Sequence, residues 1–145
     1  MPPRKAASEA APPAVNLNGE ITIELEGTEY HLRPSHQAIQ TIEEKAGRSL
    51  FSLARGAQQQ LLTNAEVGIV MAELMRAYGR SHPDDPLATT YAGANAPKVA
   101  QLAYEAGMVA VQVRLGVLLG AAVTGGCDAQ GEMKPAKAKQ PPLAG

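Results

Sequence analysis

One segment constrains this chain more than any other. From 108 to 124 it reads MVAVQVRLGVLLGAAVT, apolar almost all the way round a helix, with only Gln112 and Arg114 interrupting. Such a helix must be covered by something. A membrane span needs about 20 apolar residues, and this stretch falls short of that. Arg114 near its middle would also cost roughly 2.5–3.5 kcal/mol in a bilayer. Two readings stay open. The simpler expectation is a central helix wrapped by the rest of the fold. The alternative is a helix facing its own core on one side and a partner on the other. Gly116 and Gly120 form a small-xxx-small pair that lets another backbone come close, inside the fold or outside it.

The rest of the 145 residues offers limited cover. The first stretch, MPPRKAASEAAPPAVNLNG, is rich in proline, alanine and charge and has no apolar run of a secretory signal. Residues 1–17 are expected to be a disordered arm. The stretch 125–145, GGCDAQGEMKPAKAKQPPLAG, reads the same way, a mildly basic and disordered tail. A single domain over 18–124 remains, enough for one modest core.

That domain opens with Glu20-Ile21-Thr22-Ile23-Glu24-Leu25-Glu26, whose strict alternation is a strand with one buried face. A turn at Gly27-Thr28 and a second strand through Tyr30 and Leu32 complete a β-hairpin, which Pro34 ends. Ser35 is placed to cap a helix over about 36–46, closed by Gly47. Ser49 caps a shorter helix carrying Leu50, Phe51, Leu53 and Ala54, followed by a polar link at Gln58-Gln59-Gln60. Thr63 and Glu66 have the spacing of a capping box. The helix they open buries a narrow stripe of Val67, Val70, Met71, Leu74 and Tyr78. Glu66, Glu73, Arg76 and Arg80 lie opposite, so Ile69, among those charges, should be exposed. Loops through His82–Pro86 and through Tyr91 and Gly93 follow. Asn95 and Pro97 open another helix, and Gly107 breaks or bends it before the apolar segment. The fold class is therefore α+β, mostly α: an N-terminal β-hairpin followed by four to five helices, with disordered termini.

Chemistry is hard to find. A formal charge of −1 gives no net basic field for a polyanion. Cys127 is the only cysteine, so it reads as a free thiol. His82, Asp84 and Asp85 share a loop, but Pro83 and Pro86 make a turn the better explanation than a metal site. No nucleophile elbow or phosphate-cradling glycine loop is present, and aromatics make up 3% of the residues, which disfavours base-stacking platforms. No catalytic residue, cofactor or metal is expected. The partner-binding candidates are Ile69, Val113 and Val117.

The order of these features resembles a known family. NGEITIELEGTEYHLR, then PSHQAIQTIEEKAGRSLFSLA, then LTNAEVGIVMAELMRAYGR and VAQLAYEAGMVAVQVRLGVLLGAAVTG are similar to the small tail protein of gene transfer agents and related long-tailed phages. Ala38, Ile39, Ile42, Glu43 and Gly47 match the first helix of the pattern. Ser49, Leu50, Leu53 and Ala54 match the second, Thr63, Glu66 and Gly79 the third, and Ala106, Gly107, Leu115, Leu118 and Leu119 the closing helix. The loop from His82 to Asn95 and both tails are longer than the pattern. The resemblance covers about residues 18–125 and rests on packing and capping positions. It implies a tail assembly chaperone that coats the tape measure protein in the cytoplasm of a bacterial host. A contact with the tail tube protein and self-association are further implications; nucleic acid and membrane are not. A structural tail component is the alternative, although a tube subunit normally needs a larger sheet. A small helical DNA-binding regulator, reading DNA with the helix that starts at Thr63, is the second alternative.

Overall fold

The computed structural model describes residues 21–132 and residue 134. The arm 1–17 and the last part of the expected tail lie outside them. Two antiparallel strands, β1 (Ile21–Leu25) and β2 (Thr28–Leu32), pair with Ile21 opposite Leu32 and Leu25 opposite Thr28. Ile21, Ile23 and Leu25 are buried, as alternation requires. The loop between the strands is two residues, Glu26 and Gly27, with φ of 52° and 78°. Both values are positive, as the right-handed twist of a tight hairpin demands.

Six helices follow: α1 (His36–Ala46), α2 (Leu50–Gln58), α3 (Asn64–Ser81), α4 (Ala88–Ala92), α5 (Ala96–Ala106) and α6 (Met108–Val123). Four are capped by the side chains that the sequence offers. Ser35 Oγ accepts from the Ala38 N–H, Ser49 Oγ from Ser52 and Asn95 Oδ1 from Lys98. Thr63 and Glu66 exchange reciprocal bonds of 3.0 and 2.9 Å. Each such cap is worth about 1 kcal/mol. The short α4 is an addition to the expected four to five helices. It has no side-chain cap and falls where a loop through Tyr91 was expected. Tyr91 anchors it: its ring is buried, and its hydroxyl accepts the His31 N–H of β2 at 2.9 Å.

The wrapped helix is α3, not the apolar α6. It packs on α1, α4, α5 and β2, and Val67, Val70, Met71, Leu74, Met75 and Tyr78 are all buried. At Gly68 the α5 backbone comes so close that an added Cβ would lie 2.5 Å from the Ala96 carbonyl oxygen. The polar side of α3 is partly covered as well. Glu73 is buried and pairs with Arg76 on its own helix and with Lys45 of α1 at 2.9 Å. Glu66 pairs with Arg48 at 2.8 Å. Of the charges that suggested a solvated face, Glu73 thus pairs across to α1 and Glu66 to Arg48 in the link after it, while Arg80 stays exposed.

α6 is the second hub. It lies against α2, β1 and α5. Gly107, at φ 108°, lets α5 and α6 meet at 115°. No single helix among the described residues is long and apolar enough to cross a membrane.

The domain also continues past 124, where a tail was expected to begin. The His36 N–H donates to the Ala129 carbonyl at 2.9 Å. The buried Arg33 donates through Nε to the Gln130 carbonyl and pairs with Glu132, at 2.8 and 2.9 Å. Asp128 holds this segment in a turn by accepting from the N–H groups of Gln130 and Glu132. Composition hid this docking, because it rests on hydrogen bonds from His36 and Arg33 and on the Asp128 turn and not on apolar residues.

Candidate functional site

The outer side of α6 carries the candidate site. Val109, Val113 and Val117 recur every four residues and therefore share one face. They are 65%, 39% and 40% exposed, while Val111, Leu115, Leu118 and Leu119 on the inner side are buried. The helix thus has two apolar faces, and the fold covers one. A little over four turns of apolar helix need cover on every side, but the hairpin, α2 and α5 reach only part of the way round.

A cleft of about 250 Å³ opens beside the valines, lined by Gln58, Gln60, Val113, Gly116 and Val117. It exists because α2 and α6 approach closely at Gly116. An added Cβ there would sit 3.1–3.3 Å from Gln58 atoms, so the small pair on α6 serves packing within the chain. The Gln58 amide donates to the Gly116 carbonyl at 3.4 Å and forms one wall. Gln60 donates to the Gln58 carbonyl at 2.9 Å. Phe51 on α2 and Leu61 just after it are also exposed.

Gln112, one of the two interruptions of the apolar run, is buried and structural. Its Oε1 accepts the Leu62 N–H at 2.9 Å, and its Nε2 donates to the Leu62 carbonyl at 3.3 Å. The other, Arg114, reaches the Thr22 carbonyl at 3.5 Å and lines a small cavity with Ile23, Glu24 and Ala110.

The candidates from sequence are not all brought together. Val113 and Val117 sit side by side on the exposed face. Ile69 is only half-buried and lies elsewhere, between Glu66 and Glu73 on the α1 side of α3. It is not the fully exposed residue that its charged neighbours suggested, because Glu73 binds Lys45 of α1 and Glu66 binds Arg48 just after it. Val109, Phe51 and Leu61 were missed. For Val109 the signal was available, since it continues the four-residue spacing of Val113 and Val117. Sequence places Phe51 on α2 but assigns it no face; only the docking of that helix on α6 determines that it faces out.

Other candidate chemistry is absorbed by the fold. His82 stacks on Tyr78 with ring centroids 3.9 Å apart, and its Nδ1 lies 3.1 Å from the Tyr78 carbonyl oxygen. Asp85 accepts the Leu87 N–H at 2.8 Å. Among the described residues no group of three His, Cys, Asp or Glu side chains could hold a metal ion. Cys127 is half-buried. Burial pushes its thiol up, Asp128 adds to this and Lys134 opposes it, so the nucleophilic thiolate is scarce at neutral pH. α3, the helix that would read DNA in the regulator reading, is enclosed by α1, α4, α5 and β2. Compared with protein families, with curated proteins and with solved structures, the chain matches none.

Proposed function

We propose that this protein is a non-catalytic assembly chaperone of a phage-type tail, one that holds the tape measure protein before the tube forms around it. The exposed valine face of α6 carries the proposal. A chaperone for a long, aggregation-prone helical client needs an apolar surface that is stable while empty. α6 offers one, because its inner side is locked into the core while its outer side stays open. Exposed apolar patches of this kind mark sites of protein contact. The order of hairpin, capped helices and apolar closing helix, which resembles gene transfer agent and phage tail proteins, names the class of client. Val113 and Val117 are the contact residues of this face; Ile69, half-buried on α3, lies apart from them.

Quantitative mass spectrometry of purified particles and of the producing lysate tests this. Abundance in the lysate with near absence from particles is the expected result. Many copies per particle would instead make the protein a structural tail component.

A further inference from the structure

The cleft between α2 and α6 has a charge character as well as an apolar one. α2, the link to Thr63 and α6 together contain no carboxylate. Arg55 lies one turn before Gln58 on the same side of α2, with its guanidinium carbon 5.8 Å from the centre of the exposed Phe51 ring. Arg114, at the opposite edge of the exposed face of α6, shares its small cavity with Glu24 and leans on the β1 backbone. A cation thus lies one turn from the Gln58 wall of the cleft on α2, and an arginine near a carboxylate lies on the β1 side.

The dimensions limit the occupant. Val109 to Val117 spans about 12 Å, and one helix is about 10 Å wide. A stable dimer buries about 800 Å² on each partner, several times what such a strip offers. The face is too small to hold a second copy of this chain by itself, but it fits two or three turns of a single helix. A helix laid in a groove places apolar anchors on one side and its polar residues along the rims.

From these features we infer that the α2–α6 cleft binds an amphipathic helix of another protein, whose apolar stripe meets Val109, Val113 and Val117 and whose α2-side flank is acidic. One apolar anchor enters the cleft over Gly116, between the Gln58 and Gln60 amides. A carboxylate on the flank meets Arg55. The inference rests on the proposed client-binding role and adds the chemistry that selects the client segment.

Two fluorescein-labelled amphipathic peptides of about 18 residues test it. They share a leucine stripe and differ only in having glutamate or lysine along the flanks. The full chain should bind the glutamate peptide at least tenfold more tightly than the lysine peptide. Amide shifts in the nuclear magnetic resonance spectrum of the unaltered protein should centre on Gln58, Val113, Gly116 and Val117. Arg55→Glu should reverse the preference, and this exposed change leaves the core intact. Equal binding of both peptides, shifts centred elsewhere, or concentration-dependent shifts of the same residues without peptide, which would mean self-association, each overturn the inference. This readout does not depend on particle composition. A selective cleft in a protein that is abundant in particles would defeat the tail-chaperone reading alone, and an unselective cleft in a protein absent from particles would defeat the inference alone.

Discussion

The side-chain amide of Gln112 forms two hydrogen bonds to the main chain of Leu62, 2.9 Å to its N–H and 3.3 Å to its carbonyl. The pair fastens α6 to the link between α2 and α3, fifty residues away in sequence. Gln112→Leu keeps the volume but leaves both Leu62 groups buried without these partners. The expected loss is about 1–3 kcal/mol. In a domain of this size that lowers the melting temperature by roughly 5–15 °C, read by circular dichroism. A change below about 2 °C would mean that water reaches Leu62.

The hairpin turn is improvable. Glu26 sits at φ 52°, a left-handed conformation that a glutamate side chain disfavours and asparagine tolerates. Glu26→Asn should stabilise the protein by about 0.5–1 kcal/mol in urea unfolding. Destabilisation would show that the Glu26 side chain makes a contact worth more than the strain.

At Gly68 two effects of opposite sign compete. Alanine is the better helix former by about 1 kcal/mol. Its Cβ, however, would lie 2.5 Å from the Ala96 carbonyl oxygen and 2.7 Å from the Ala100 Cβ. Pushing α5 away costs about 1–3 kcal/mol and should win. Gly68→Ala is expected to unfold at lower urea concentration than the wild type. A gain in stability would mean that α5 shifts freely on α3.

Much of the fold follows from local signals. Ser35, Ser49, Thr63 with Glu66, and Asn95 fixed four helix starts, because a cap is chemistry within three residues of chain. Ile21, Ile23 and Leu25 set the buried face of β1 by alternation alone. What escaped depends on distant partners. Glu73 and Glu66 read as solvent-facing until Lys45 of α1 and Arg48, just after it, arrive beside them. α4 has no cap of its own and forms around Tyr91, whose hydroxyl serves His31. Residues 125–132 look like a tail in composition, yet they dock on Arg33. At the candidate site, the exposure of Val113 and Val117 was legible as one of two readings of α6. Their pairing with the Gln58 wall was not, because it depends on how α2 crosses Gly116.

Tyr91 makes stability sensitive to high pH. Burial pushes its hydroxyl up to about 12 from an ordinary 10.0, with Tyr78 and Asp85 adding to the shift and the His31 N–H opposing it. The folded state thus favours the neutral phenol. This contribution is complete below pH 10 and is lost as pH rises from there towards 12. Tyr91→Phe removes the acceptor for His31, so it should be less stable at neutral pH. Its stability should also fall less steeply above pH 10. Parallel urea titrations at pH 8, 10 and 11 measure both; identical slopes for the two proteins would refute the assignment.

The most direct measurement on the central claim is co-purification of the tape measure protein from producing cells, using the wild type and a Val113→Glu/Val117→Glu variant. Both side chains lie on the open face of α6 and outside the core, so the variant should keep its helical circular dichroism and its melting temperature. The wild type is predicted to retain the tape measure protein and the variant to lose it. A folded variant that still retains the tape measure protein would contradict the account, as would a wild type that never binds it. Loss of the helical signal in the variant would contradict it too, by showing that the two valines hold the fold together.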